Sequence, residues 1–87
     1  MLTTEEKAKI IEKYKTHEKD TGSYEIQIAL LSREIELLIN HLQKNPKDFH
    51  SKRGLLKMVA KRRRLLKKLQ SEDQKRYEKI ATSLNLK

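Results

Sequence analysis

His41, Asp48 and Ser51 lie within eleven positions and match, by type, the base, carboxylate and nucleophile of a hydrolytic triad. Hydrolysis also needs an oxyanion hole and a pocket that excludes water. Pro46 sets these three residues around a turn between two helical stretches, and no strand–turn–helix elbow surrounds Ser51. A core drawn from 87 residues leaves little room for a closed site. Two other readings use the same residues. Asp48 and Ser51 can cap a helix, with His41 on its rim. Alternatively, the three form a polar cluster facing nucleic acid. The minor groove of A-form RNA is wide and shallow and displays 2′-hydroxyls and base edges, which suit short polar side chains. His and Ser donate or accept, whereas an ionised Asp only accepts. Beside phosphates it has to meet a donor such as a guanine amino group or a 2′-hydroxyl.

Asp20-Thr21-Gly22-Ser23 is a second constellation. It reads first as a turn followed by a helix cap. Gly22 also permits backbone contact with a ligand, and a helix N-terminus favours phosphate. Gln27, one turn further on, extends the same patch. Metal chemistry finds little support. There is no cysteine, so disulfides, thiolate sites and a Cys nucleophile are excluded. The three histidines, His17, His41 and His50, make no HExxH-type pair. No metal, no cofactor and no enzymatic activity are expected. Tyr14, Tyr24 and Tyr77 read as packing residues, and Phe49 as a plug for the turn. Aromatic residues are 5% of the chain, which disfavours a base-stacking platform.

The charge is concentrated. Nine basic residues fall between Ser51 and Lys68 with no Asp or Glu among them: Lys52, Arg53, Lys57, Lys61, Arg62, Arg63, Arg64, Lys67 and Lys68. The other 12 basic residues balance all 12 acidic ones, so this block carries the whole net charge of +9. A block of one sign repels itself and calls for solvent screening or an anionic partner. A solvated helix face is the plain reading, and a polyanion-binding surface the sharper one.

The elements that must hold these groups are helical, since only two Gly and one Pro interrupt the chain. Thr3 with Glu6 has capping-box spacing and opens a short first helix over about 4–15. Ser23 caps a second helix from Tyr24 to Lys44, with Glu25 in its first turn suiting the helix dipole. Ile28, Leu31, Ile35, Leu38 and Leu42 repeat at helical spacing as a buried seam. Asn45-Pro46-Lys47-Asp48 forces a turn, and Asp48 caps a third helix over 49–71. Gly54 within its first turns costs up to about 1 kcal/mol relative to Ala, which implies a close approach there by a packed helix or a ligand. On a helical wheel Leu55, Val59, Leu66 and Leu69 share one side, with Leu56 at its margin. Arg53, Lys57, Lys61, Arg64, Lys67 and Lys68 share the opposite arc. Arg62 falls inside the apolar arc, so it either snorkels past the core or lies beyond its end. Ser71 with Gln74 caps a short fourth helix carrying Tyr77, Ile80, Ala81 and Leu84. The expectation is a single all-α domain over 1–87. Its second and third helices form a long antiparallel hairpin, with the first and fourth packed on it. No apolar run approaches the roughly 18 residues of a membrane span. The N-terminal residues do not read as a signal peptide, so a cytosolic location is expected.

Three strings converge on one family: DTGSYEIQIALLSREIELLINHL (Asp20 to Leu42), KDFHSKRGLLKMVAKRRRLLKKL (Lys47 to Leu69) and EDQKRY (Glu72 to Tyr77). Over essentially its whole length the chain resembles bacterial small-subunit ribosomal protein number fifteen. The resemblance implies a four-helix fold whose first helix packs on, or swings from, a three-helix core. It implies a cytoplasmic, ribosomal protein that is a monomer when free. It also implies binding to the central domain of the small-subunit (16S) rRNA at two sites. One is a three-way junction, contacted by residues matching Thr21, Gly22 and Gln27, with Arg64 nearby. The other is an element with G·U and G·C pairs read from the minor groove by residues matching His41, Asp48 and Ser51. Arg53 joins the expected RNA contacts, and Lys68, where the family usually has Tyr, supplies a phosphate contact in its place. Further partners implied are neighbouring small-subunit proteins, large-subunit rRNA across the subunit interface and, in some members, the protein's own messenger RNA. The alternative is a helix-turn-helix DNA-binding protein. Its third helix would enter a major groove, but that helix is uniformly basic and lacks an Asn/Gln reading face.

Overall fold

The computed structural model describes residues 2–20 and 22–86. Four helices follow one another: α1 (Thr4–Tyr14), α2 (Tyr24–Lys44), α3 (Phe49–Glu72) and α4 (Gln74–Ser83), with no strand among the described residues. Among the described residues no helix is long and apolar enough to cross a membrane.

Three of the four starts are those expected from the sequence. The side chains of Thr3, Ser23 and Asp48 accept from the backbone N–H groups of Glu6, Ile26 and Ser51. Each satisfies one donor that a helix N-terminus leaves open, worth about 1 kcal/mol per cap. The fourth start differs. Ser71 does not cap α4; its hydroxyl donates to the Lys68 carbonyl within α3. Asp73 closes α3 through its N–H to Leu69 O and opens α4 by accepting from Arg76 N. The Ser71 hydroxyl is taken up by the Lys68 carbonyl, and α3 runs on until Asp73 N bonds to Leu69 O, which leaves the Asp73 carboxylate to take the cap.

α2 and α3 pack along each other as the expected antiparallel hairpin, α4 lies on α3, and α1 lies on α2. Ile28, Leu69 and Ile80 form the innermost cluster, with Tyr14, Tyr24 and Tyr77 packed against it as the sequence indicates. The seam of α2 buries Ile28, Ile35 and Leu38, while Leu31 and Leu42 are half-buried. None of the residues of α1 is fully buried.

Several expectations need correction. Phe49 does not plug the turn: it is 68% exposed, with Lys52 Nζ 5.1 Å from its ring centroid. The turn closes by backbone bonds instead, Asn45 N to His41 O and Asp48 N to Asn45 O. Leu56 is not at the margin of the core but 71% exposed. Gly54 has no packed neighbour, for a Cβ there would meet nothing within 4 Å. Arg62 carries its guanidinium across the apolar arc to a polar partner on α2. It is half-buried between α2 and α3, where Nη1 donates to Ser32 Oγ at 3.2 Å. Burial lowers its pKa from the ordinary value.

Candidate nucleic-acid interface

At the hairpin tip the fold brings His41, Asp48 and Ser51 together. Asp48 is the hub. Its Oδ2 accepts from Ser51 Oγ at 2.6 Å and pairs with His41 Nε2 at 2.8 Å, and its Oδ1 accepts from Ser51 N at 3.0 Å. Ser51 and His41 together hold the Asp48 carboxyl well below the usual carboxylate range. The two sequence readings therefore merge, because the cap of α3 is also the centre of the cluster. A hydrolase needs His between Asp and Ser, so that the ring can take the hydroxyl proton. Here the carboxylate stands between the other two, and Ser51 donates to Asp48. A groove of about 560 Å³ lies elsewhere, lined by Tyr14, Thr16, Glu25, Arg76 and Ile80 among others.

The loop before α2 is the second cluster, and its hub is Asp20, which the sequence reading did not single out from the turn. Asp20 is buried. Its Oδ2 accepts from Thr16 N and Thr16 Oγ1, and its Oδ1 from Gly22 N and Ser23 N, all at 2.8–3.1 Å. The Thr16 backbone N–H leads the contacts that hold its carboxyl well below the ordinary range. Gly22 is exposed, its φ is not positive, and a Cβ there would meet open space, so nothing within the protein demands glycine. Gln27 Nε2 folds back to the Gly22 carbonyl at 2.8 Å. Thr21 lies outside the described residues.

Arg53, Arg64 and Lys68 are exposed on α3. The contact of Arg62 with Ser32 places these positions near each other across the antiparallel hairpin. With that pairing, Arg64 and Lys68 stand level with the first turns of α2 and Arg53 nearer the tip. The ion pairs of the described residues draw on Lys15, Arg33 and Arg76, cations outside the 51–68 block. Apart from Arg62, turned in to Ser32, and Lys52, over the Phe49 ring, the cations of the block have no protein partner among these contacts and face solvent or a binding partner.

One supporting contact carried no sequence signal. Arg76 grips Glu25 with Nε and Nη2, each 2.6 Å from a carboxylate oxygen. Glu25 is thus more than a dipole partner at the start of α2: it is buried and anchors α4. The carboxylate raises the pKa of Arg76 further. Among the described residues no group of His, Asp or Glu side chains is arranged to hold a metal ion.

The family model for ribosomal protein S15 matches residues 7–87. The small ribosomal subunit protein uS15 of Chloroflexus aggregans is 55% identical over 86 residues, which cover 99% of this chain and 97% of that protein. The protein of the same name from Carboxydothermus hydrogenoformans has the same identity and coverage. That of Caldanaerobacter subterraneus is 55% identical over 87 residues, covering 100% of this chain and 99% of that one. The chain therefore belongs to the ribosomal protein S15 family, and with it to the structural, non-enzymatic proteins of the small ribosomal subunit.

Proposed function

We propose that this protein is a primary binder of the central domain of small-subunit rRNA and clamps two RNA sites with the two ends of its hairpin. The Asp20 loop, with Thr21, Gly22 and Gln27, takes a three-way junction. His41, Asp48 and Ser51 take a nearby element with G·U and G·C pairs through its minor groove. Arg53, Arg64 and Lys68 hold phosphates between and beside these sites. Such contacts position the protein, and the two polar clusters specify the sequence and shape. Fixing the junction prepares the RNA for later small-subunit proteins. The outer surface contributes a contact to large-subunit rRNA, and the same recognition extends to a structured segment of the protein's own messenger RNA.

The observation that carries this reading is the separation of two hydrogen-bonded polar clusters by α2. Its 21 residues span about 30 Å at 1.5 Å each, close to one turn of A-form RNA. A helix-turn-helix reader of DNA would not need the second cluster.

The test is equilibrium binding to junction RNA carrying the G·U/G·C element, beside a scrambled duplex of equal length, at two salt concentrations. Wild type should prefer the junction, and a His41/Asp48/Ser51 triple alanine variant should lose much of that preference at both salts. Equal affinity for both RNAs with a steep salt slope would reduce α3 to a generic basic helix.

A further inference from the structure

We propose that Asn45 is a positioning residue for the hairpin tip. Its side-chain amide at one ring nitrogen joins the Asp48 carboxylate at the other in selecting the tautomer of His41, and through it the polarity of the face formed by Asp48 and Ser51. The second half of this proposal rests on reading that cluster as a minor-groove contact. The first half concerns the free protein alone.

Asn45 Nδ2 lies 3.0 Å from His41 O. A carbonyl oxygen only accepts, so the amide group facing it is the NH₂, and its orientation is fixed without reference to the ring. The same nitrogen lies 3.5 Å from His41 Nδ1. An amide NH₂ offers protons and no lone pair, so the ring nitrogen facing it is the unprotonated one. The ring proton is then on Nε2, which donates to Asp48 Oδ2 at 2.8 Å. In the opposite tautomer two N–H groups would face each other at Nδ1, and the Nε2 lone pair would face a carboxylate. Both contacts would repel, and the ring would leave Asp48.

This choice turns the donors of the cluster inward. His41 Nε2–H, the Ser51 hydroxyl and the Ser51 backbone N–H all go to Asp48. What remains for a partner is lone pairs on Asp48 and on Ser51 Oγ. An acceptor face selects donors, and in an RNA minor groove those are the guanine amino group and 2′-hydroxyls. Asn45 thereby contributes to the choice of guanine without touching RNA.

The side chain can be altered without dismantling the turn. The Asn45 N–H goes to His41 O at 2.9 Å, and its carbonyl accepts from Asp48 N at 3.1 Å. Neither bond uses the amide, and the backbone at φ −132° is open to other residues.

The test uses the ¹⁵N-labelled full-length protein as wild type, Asn45→Ala and Asn45→Asp. Long-range proton–nitrogen correlations of the His41 ring are recorded in the free proteins. Wild type and Asn45→Ala are then titrated with junction RNA whose element carries guanine or inosine, which lacks the amino group. Wild type should have a proton on Nε2 and a bare Nδ1. In Asn45→Ala the two nitrogen signals should move part of the way toward each other, since Asp48 still accepts from Nε2 but nothing opposes a proton on Nδ1. In Asn45→Asp a carboxylate replaces the amide and accepts rather than donates, so Nδ1 should gain a proton. The preference for guanine over inosine should fall roughly threefold in Asn45→Ala, the effect of one weakened hydrogen bond. A protonated Nδ1 in wild type would overturn the tautomer assignment, and ring signals unchanged across the three proteins would overturn the role of Asn45 in selecting it. Ring signals that change while the guanine preference does not would overturn the link to recognition. No guanine preference in wild type would overturn both that link and the minor-groove reading, whatever the ring shows.

Discussion

Arg76 and Glu25, 51 positions apart, meet in a two-pronged ion pair with both nitrogen–oxygen distances at 2.6 Å. The pair ties α4 to the first turn of α2, directly behind the loop that holds Gly22 and Ser23. Glu25 is buried, whereas the Arg76 side chain is 43% exposed. Removing the arginine therefore strands a buried carboxylate, at a cost between that of an exposed and a fully buried pair. We expect Arg76→Ala to lose about 2 kcal/mol. That should lower Tm by roughly 10 °C in a chain of this size. Circular dichroism melts of Arg76→Ala and of the paired Glu25→Gln/Arg76→Leu variant check this. The pair should lose less than the single variant, because no charge is left unpaired.

The acid limb of stability should be set in part by Asp20. Its folded pKa lies below the unfolded value, near 3.9 for Asp. Its contribution is therefore fully present above that unfolded value and is lost as pH falls through the lower folded value. Melts between pH 7 and pH 2 should show a plateau that declines only below about pH 4. Asp20→Asn should be less stable than wild type at neutral pH, and the two curves should converge in acid. Curves that stay parallel would show that the four hydrogen bonds to Asp20 do not depend on its charge.

Gly54 separates the needs of the free protein from those of its complex. A Cβ there meets open space, and the residue sits within α3. Gly54→Ala should therefore raise stability by up to about 1 kcal/mol. The same methyl group should weaken RNA binding, because close approach by a ligand is the remaining reason for glycine at this position. Paired melts and RNA titrations should move in opposite directions.

Arg64 and Lys68 should act through phosphates. Alanine at either position should reduce the slope of log affinity against log salt by about one unit or slightly less. The preference for junction RNA over a scrambled duplex should change little. A large loss of preference at Lys68 would mean that it reads the junction directly.

Local features of this fold were legible in the sequence. Thr3, Ser23 and Asp48 each stand before an amphipathic run, and each is the cap in the structure. His41, Asp48 and Ser51 were legible as a cluster because Pro46 forces a short turn that leaves them nowhere else to go. Contacts between distant positions carried no comparable signal. Glu25 reads equally well as a dipole partner, and only the packing of α4 makes it one half of a buried pair. Arg62 sits in an apolar arc by spacing, and the Ser32 hydroxyl that receives it lies thirty positions away. Ser71 and Asp73 are both good caps two positions apart, and the difference shows only in the structure, where the Ser71 hydroxyl goes to the Lys68 carbonyl and Asp73 accepts from Arg76 N. Asp20 was hidden by its own turn: four donors converge on it only once the loop has closed.

The most direct measurement of the two-ended clamp is tethered hydroxyl-radical cleavage. The chain has no cysteine, so single cysteines can be introduced at exposed Lys19, in the loop before α2, and at exposed Gln43, near the tip. Each carries an iron chelate and is bound to junction RNA with the G·U/G·C element. The Lys19 probe should cut strands at the junction and the Gln43 probe strands around the element, about one A-form turn away. Cuts at the same nucleotides from both probes, or cuts spread evenly along the RNA, would contradict it.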